Sequence, residues 1–326
     1  MKWYLLSDRA RKLRALNFII GGRGIGKTYS TIDYVVNSGK PFLYLRNTDV
    51  QLKECSCEFG NPFKRWNLDH NRNIHIETER QHSLIYDYID DKHKKLIGYA
   101  AALSTFGNLR GVDLSDVTMV IFDEFIERRS LTFDQAFDFS HFYETVNRNR
   151  ELLGEEPLKV FMLSNAQKLD NPILANYGTI PVIEQMIKKD KEEYINPDLY
   201  INLPKSEISE AKKETVLYKV TAGTQYYQES LENKFAYDSF YGIIQRNVVE
   251  YMPVVKIDDM YIYRHKSKGT FYVCRKASNQ VPEFTSKDNL RTFIRRYGLS
   301  LRIALADSKV EFSEFLIKTK FTELLR

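Results

Sequence analysis

Two short segments of the sequence have the residue types and spacing needed to bind the phosphates of a nucleotide. In the first, residues 21–28 read GGRGIGKT and fill every fixed position of the pattern G-x-x-x-x-G-K-[S/T]. Glycines let backbone N–H groups turn inward around a phosphate, and a following helix N-terminus adds favourable potential. We expect Lys27 to contact the β and γ phosphates of ATP and Thr28 to ligate Mg²⁺. The alternative is a chance glycine turn.

The second segment, VTMVIFDE at residues 117–124, is an apolar strand that ends in two acids. A carboxylate delivered to the end of such a strand is suited to hold Mg²⁺ through water, and we assign this role to Asp123. Glu124 is placed to polarise the water that attacks the γ-phosphate. The alternative is a solvated acid pair at a strand end.

A third apolar run, residues 158–163, leads into Ser164 and Asn165. From this strand end, Asn165 could sense the γ-phosphate. Ser and Asn also occur at strand ends simply because they satisfy a loop, and this alternative stays open.

Arginines matter because a cation stabilises the charge that develops on phosphoryl oxygens, often from a neighbouring subunit. Arg148 and Arg150 at a helix end are the leading candidates, and Arg110 ahead of the acid-bearing strand is the second. Arg23 and Arg46 could instead touch phosphate within the same subunit. For each of them the alternative is a solvated surface arginine.

The elements that must position these residues follow from apolar runs and glycine breaks. Residues 16–20 and 41–45 predict strands on either side of a helix at 28–36, a βαβ unit in a parallel sheet. Elsewhere the sequence predicts paired strands within 74–89, strands at 117–122 and 158–163, and a helix at 133–150. The fold class is therefore α/β, with a mainly parallel sheet.

The balance of charge and the share of polar residues change along the chain. These changes predict an ATPase domain at 1–197, a linker at 198–227 and a small α/β domain at 228–326. Residues 228–326 carry 17 basic residues (Lys and Arg) and 12 acidic residues (Asp and Glu). The residues before them carry 31 basic and 31 acidic residues. Strands are expected at 241–255, 260–264 and 270–274, with helices after residue 286 and from 311 onward. Cations interleaved with aromatics there could bind a phosphate backbone, or could be ordinary solvated strands.

Composition excludes several classes of protein. The hydrophobic share of 43% disfavours disorder, and the sequence has no apolar run long enough to span a bilayer, so we expect no membrane partner. Three cysteines are typical of a reducing cytoplasm. Asp258 and Asp259 lack further spaced acids, which makes a nuclease improbable.

Four segments together resemble the DNA packaging ATPases of φ29-type tailed phages. They are NFIIGGRGIGKTY at 17–29, IFDEFI at 121–126, TVNRNR at 145–150 and LSNA at 163–166. Their order and spacing agree with that family, and the resemblance covers nearly the whole chain. The nucleotide-binding set is accordingly Gly21, Gly22, Arg23, Gly24, Ile25, Gly26, Lys27, Thr28 and Tyr29.

The resemblance implies an ASCE-type P-loop ATPase domain followed by an RNase H-like domain that has lost its nuclease acids. It also implies a homo-oligomeric ring, thought to be a pentamer, on the portal of the prohead in the host cytoplasm. A structural packaging RNA is part of that motor, which drives double-stranded DNA into the capsid. By motif position, Arg148 matches the arginine finger that acts on the neighbouring subunit, and Arg110 matches a basic residue that also acts across the interface.

Three other functions fit parts of the sequence. A P-loop phosphotransferase would phosphorylate an acceptor instead of releasing phosphate. A nucleotide-gated nucleic-acid-binding module would bind tightly with little turnover, and a nuclease-competent terminase would cut DNA.

Overall fold

The strand that precedes the glycine-rich loop lies inside a nine-stranded sheet. In a computed structural model the chain divides into a first unit, residues 1–177 with 185–238, and a second unit, residues 178–184 with 239–326. The structure describes residues 3–79, 82–90, 92–109, 113–127, 131–166, 169–224, 227, 230–231, 242–278 and 281–325. Among these residues no helix has the length and apolar character needed to cross a membrane.

The strand order of the first unit brings the predicted motifs to one edge of its sheet. The order is β3-β4-β5-β2-β6-β7-β1-β9-β8. The strands are β1 Leu16–Ile20, β2 Phe42–Arg46, β3 Ile74–Glu79, β4 His82–Tyr88, β5 Lys94–Ala102, β6 Met119–Asp123, β7 Lys159–Ser164, β8 Glu193–Ile195 and β9 Leu199–Asn202.

The predicted strands β1 and β2 belong to this one sheet but are not neighbours, because β7 and β6 lie between them. All four are mutually parallel, with Ile20 opposite Ser164, Asp123 opposite Leu163, and Leu45 opposite Phe122. Parallel strands in register end together. Their carboxyl ends therefore form a single edge, which is where ligands bind in open α/β sheets.

Helices of the first unit cover this sheet with apolar faces. The helix after the glycine loop buries Lys27, Thr31 and Val35, which lie four residues apart on one face, together with Ser30 and Ile32 on either side of them. The α-helices are α1 Lys27–Asn37, α2 Asp49–Cys55, α3 Lys64–His70, α4 Gln135–Asn147, α5 Pro172–Asn176, α6 Ile180–Lys188, α7 Glu207–Lys212 and α8 Val216–Val220, with 3-10 helices at Ser7–Lys12, Leu103–Leu109 and Arg150–Leu153. Residue 184 ends one stretch of the second unit, so α6 is divided between the two units.

The boundaries of the ATPase domain and the linker differ from those predicted. Strand β9 falls inside the range 198–227 that the sequence assigns to a linker, yet it pairs with β1, and Asn202 is fully buried. The first unit accordingly continues past residue 197, to residue 238. This strand was not predicted because it has only four residues and lies between two prolines and charged segments.

The second unit contains a five-stranded sheet of order β13-β10-β11-β12-β14. The strands are β10 Tyr251–Ile257, β11 Met260–His265, β12 Phe271–Cys274, β13 Glu283–Phe284 and β14 Val310–Phe312; the helices are a 3-10 turn at Val248–Glu250, α9 Leu290–Phe293, a π-helical turn Ile294–Gly298, α10 Leu299–Ala306 and α11 Phe315–Leu324.

Two predictions for the second unit need correction. The strand expected from residue 241 begins at Tyr251, and the helix expected from residue 311 begins at Phe315. Val310 and Phe312 alternate inward in a strand that pairs with β12, so burial on one face of a sheet determines their conformation.

Candidate nucleotide site

The two motifs meet at the carboxyl edge of the first sheet. The Thr28 hydroxyl donates to Asp123 Oδ1 over 3.2 Å, and the Lys27 ammonium donates to Asn165 Oδ1 over 3.2 Å. The structure therefore brings together residues from the end of β6, from just after β7 and from the first turn of α1, the helix that follows β1 and the glycine loop. Each of the three strands was predicted from its apolar run.

The glycine loop and the three strand ends enclose a cleft of about 210 Å³. That volume is below the roughly 300–1,000 Å³ of pockets that enclose a whole small ligand, and it suits the phosphate end of a nucleotide. Gly24 and Gly26 have φ of 65° and 100°, a conformation that disfavours other residues. The lining residues are Arg23, Gly24, Gly26, Lys27, Thr28, Tyr29, Asp123, Glu124, Ser164 and Asn165.

Three of the nine predicted nucleotide-binding residues are not among those that line the cleft. The carbonyl oxygens of Gly21 and Gly22 accept hydrogen bonds from the Lys27 ammonium at 3.0 and 2.7 Å. The side chain of Ile25 is buried in the hydrophobic core. It anchors the loop, and only the backbone of Ile25 can contact a ligand. Tyr29 lines the cleft, and its hydroxyl donates to Asp69 over 2.9 Å.

Lys27 is a buried cation. Burial lowers its pKa to about 7, while the charge of Asp123 opposes this shift and the charge of Lys212 adds to it. An ammonium group held among carbonyl oxygens in a glycine loop is suited to receive a phosphate, whose negative charge would favour the protonated form.

Asp123 is held on both oxygens. Oδ1 accepts from Thr28, while Oδ2 accepts from the Tyr44 hydroxyl at 2.9 Å and lies 3.7 Å from the Arg46 guanidinium. Burial raises the pKa of Asp123, and Arg46 opposes that shift. The adjacent hydroxyl and carboxylate oxygens of Thr28 and Asp123 are the hard donors that Mg²⁺ prefers, so these residues fit the predicted metal.

Glu124 leaves the strand in a left-handed conformation, with φ of 54°. Its side chain is half exposed, and Oε2 accepts from Arg46 Nη2 at 2.7 Å. Arg46 therefore contacts both acids of the motif. From the sequence, Arg46 was one of two arginines that could touch phosphate within the same subunit; in the structure its partners are these two carboxylates.

A buried amide network fixes the backbone that carries Glu124. Asn47 donates to the Glu124 carbonyl at 2.9 Å, and Gln135 donates to both Asn47 Oδ1 and the Phe125 carbonyl at 2.7 and 2.6 Å. Asn171 in turn donates to Gln135 Oε1. Since unsatisfied buried amides are costly, each member holds the others in place and keeps the turn after β6 rigid.

The candidate arginines have different environments. Arg148 is half exposed, its guanidinium donates to Asp113 over 2.8 Å, and it and Asn149 have left-handed backbones with φ of 49° and 59°. Arg150 is buried and donates to the carbonyls of residues 115 and 117, which occupies it inside the fold. Arg110 lies outside the described residues.

Several charged residues of the second unit lie in ion pairs near its surface. Arg246 forms two hydrogen bonds with Glu311, and Asp259 is paired with Arg275 and Lys320. Those pairs occupy Asp259, one of the two neighbouring acids considered as a nuclease pair. The other, Asp258, accepts a hydrogen bond from the backbone of Ser286.

The residues that hold the site from neighbouring elements were not predicted from the sequence. Tyr44, in the middle of β2, and Asn47, just beyond its end, contact the acids only because β2 is the neighbour of β6 in the sheet. For Asn47, a polar residue directly after an apolar strand was the available signal. Lys212 was also missed, and its ammonium donates to the carbonyls of Arg23 and Gly24 at 2.6 and 3.3 Å.

Comparison with known families gives a match over most of the chain. The family model described as podovirus DNA encapsidation protein (Gp16) matches residues 3–280. The DNA packaging protein of Bacillus phage PZA is 29% identical over 242 residues, which cover 72% of this chain and 66% of that protein. The match spans just under two thirds of that relative's length.

Two solved structures are similar in fold. The bacteriophage Phi-29 viral genome packaging motor assembly superposes with a TM-score of 0.67 at 21% identity and covers 99% of both chains. The N-terminal domain of the DNA packaging ATPase from bacteriophage phi29 has a TM-score of 0.50 at 26% identity, with 63% of this chain and 97% of that domain covered.

Proposed function

Because this chain belongs to the podovirus DNA encapsidation protein family, we propose that it hydrolyses ATP to drive double-stranded DNA into a viral prohead. The observation that carries the proposal is the meeting of Lys27, Thr28 and Asp123 at one sheet edge. The order β9-β1-β7-β6-β2, with two strands between the loop strand and β2, supports an ASCE-type ATPase domain.

In this proposal the loop binds the phosphates and Lys27 moves from the carbonyls of its own loop to the β and γ oxygens. Thr28 and Asp123 hold Mg²⁺, which when bound supplies positive charge to the phosphate oxygens. Asn165, now bonded to Lys27, is close enough to respond to the γ-phosphate.

Glu124 acts as the general base for the attacking water. Its carboxylate is bonded to Arg46, so catalysis requires Glu124 to turn from the guanidinium toward the γ-phosphate. Arg46 also contacts Asp123, so it stays in place to pair with Glu124 again after each reaction.

Arg148 is the arginine that acts on a neighbouring subunit. Its half-exposed guanidinium donates to an exposed acid, Asp113, and a phosphate could take the place of that carboxylate. Arg110 remains the second candidate. Arg150 has no such role in the proposal, because its side chain is buried against backbone carbonyls.

The assembled form in this proposal is a homo-oligomeric ring, a pentamer, docked on the portal of the prohead in the host cytoplasm. The second unit, with its excess of basic residues, is an RNase H-like domain without nuclease acids that contacts the DNA and a structural packaging RNA. The similarity in fold to the bacteriophage Phi-29 viral genome packaging motor assembly supports an assembled packaging motor.

Subunit mixing tests catalysis across the interface. The Arg148→Ala and Glu124→Gln proteins should each be nearly inactive alone, whereas a mixture should recover phosphate release. Recovery is expected because an Arg148→Ala subunit retains its base and receives an intact arginine from its neighbour. The double variant mixed with Arg148→Ala protein is the control, and equal activity in the two mixtures would exclude the cross-subunit role.

Product analysis tests the reaction class. Free phosphate should account for the ATP consumed, and DNA should stimulate its release. A phosphorylated acceptor in its place would identify a phosphotransferase.

A further inference from the structure

The outer side of the phosphate loop is covered by a segment that follows the first sheet. Lys212, the last residue of α7, donates from its ammonium to the carbonyl oxygens of Arg23 and Gly24 at 2.6 and 3.3 Å. The carbonyl of Ser230 accepts from the Arg23 N–H at 3.1 Å. Lys212 and Ser230 thus both contact the loop from far away in the sequence.

These contacts are close enough to constrain the loop. A Cβ added at Gly22 would lie 2.8 Å from the Ser230 oxygen, and one at Gly24 would lie 2.7 Å from the Lys212 nitrogen. The first contact is with backbone, which cannot move aside cheaply. The glycines therefore permit the close approach of this segment as well as that of a ligand.

The geometry of the peptide unit links Lys212 to the phosphate side of the loop. In a trans peptide the C=O and N–H bonds point in opposite directions. When Lys212 holds the carbonyls of Arg23 and Gly24, the N–H groups of Gly24 and Ile25 point away from it. A cation on the carbonyl side and an anion on the N–H side both favour the same orientation of the peptide dipole.

We infer that Lys212 is a positioning residue of the phosphate loop, one that orients the amides of Gly24 and Ile25 toward the phosphates of the nucleotide. This inference rests on the proposed function, since it presumes that the loop binds a nucleoside polyphosphate. Lys212 acts through the backbone carbonyls of Arg23 and Gly24. Its ammonium also repels the nearby Lys27, and phosphates bound at the loop would relieve that repulsion.

The test is a comparison of Lys212→Gln and Lys212→Arg with Lys213→Gln in the full-length chain. Lys213 is the next residue and pairs with Glu210, so it controls for the loss of one charge from the same region. Titration calorimetry with Mg-ADP gives the dissociation constant, and phosphate release gives kcat and KM for ATP.

Lys212→Gln should weaken Mg-ADP binding and raise KM by about tenfold with kcat within about twofold, because the lost contact serves bound substrate and transition state alike. Lys212→Arg should recover most of the affinity. Lys213→Gln should behave like the parent. A structural role alone would lower the thermal midpoint without separating KM from kcat.

Unchanged affinity in Lys212→Gln, or an equal loss in Lys213→Gln, would overturn the inference. Lys27→Ala distinguishes this failure from failure of the proposed function. If Lys27→Ala loses affinity for Mg-ADP and Lys212→Gln does not, the loop binds nucleotide without a contribution from Lys212. If the parent itself does not bind Mg-ADP, the proposed function fails first.

Discussion

Charged residues are organised differently at the carboxyl edge of the first unit's sheet and on the surface of the second unit. At the edge they share partners and are largely buried: Asp123 is contacted by Thr28, Tyr44 and Arg46, and Arg46 also holds Glu124. In the second unit, pairs such as Arg246 with Glu311 are partly exposed.

Under the proposed function, the buried charges at the sheet edge take part in catalysis, whereas the exposed pairs of the second unit do not. Burying Lys27 and Asp123 costs stability, and such a cost is usually retained where the charges perform a reaction. Exposed pairs contribute little to stability and can be exchanged for the phosphates of a nucleic acid. Four measurements test whether the two regions differ in this way.

The largest effect is expected for Glu124→Gln. Loss of the general base should lower kcat for ATP by about 10²–10⁴ fold while nucleotide binding is retained. The half-exposed side chain is not part of the core, so the thermal midpoint should stay close to that of the parent. Glu58→Gln, at an exposed position, is the matched control, and a comparable loss of kcat there would argue against a specific role for Glu124.

The next effect is on stability. Tyr44→Phe should lower the free energy of unfolding by about 1–3 kcal/mol, because a buried carboxylate oxygen of Asp123 loses its donor. Tyr99→Phe removes a similar bond to the exposed Asp116 and should cost less than about 1 kcal/mol. Urea unfolding of both variants measures the difference, and equal losses would remove the distinction between buried and exposed pairs.

The third effect is a pH dependence centred on Lys27. Its pKa is lowered from 10.5 to about 7 by burial, so between these values the unfolded chain binds more protons than the folded one. The free energy of unfolding of the parent, relative to Lys27→Met, should therefore rise from pH 7 to pH 9, by at most about 1.4 kcal/mol per pH unit. Urea unfolding at pH 7, 8 and 9 gives this difference, and a flat profile would mean that the pKa of Lys27 is not lowered.

The smallest effect is expected for Glu311→Gln in the second unit. The Arg246 guanidinium lowers the pKa of Glu311, so the pair stabilises the fold above the ordinary value of 4.5 and loses this contribution as pH falls through the lowered pKa. The substitution should cost less than about 1 kcal/mol at pH 7, and the difference from the parent should vanish in acid. A loss of several kcal/mol in urea unfolding would show that this surface pair behaves like the buried site.

Local sequence predicted the parts of the fold that depend on apolar runs. The strands at residues 16–20, 117–122 and 158–163 and the hairpin within 74–89 are confirmed, and so is the resemblance to the packaging family. Lys27, Thr28, Asp123 and Asn165 could be placed together because each follows a buried strand, and parallel strands end at one edge. Their catalytic roles remain predictions.

The remaining parts depend on which elements are neighbours in space. Arg46 meets Glu124 because β2 lies beside β6, a strand order that neither sequence segment contains. Lys212 reaches the loop across 188 residues or more, from a segment that reads as a linker. The short strand β9 was missed for the same reason, since only its pairing with β1 identifies it.

The end of α4 is a stiff corner, and this stiffness determines where Arg148 points. Two successive non-glycine residues, Arg148 and Asn149, adopt left-handed backbones, at a cost of roughly 1–2 kcal/mol each. The preceding residue, Asn147, fixes the turn with two hydrogen bonds. Its side-chain amide donates to Glu151 and accepts from the backbone N–H of Leu158. If the bonds of Asn147 were lost, the direction of the Arg148 side chain would no longer be fixed although the unit stayed folded. Under the proposed function, such a protein would still bind nucleotide but would lose the action of Arg148 on its neighbour.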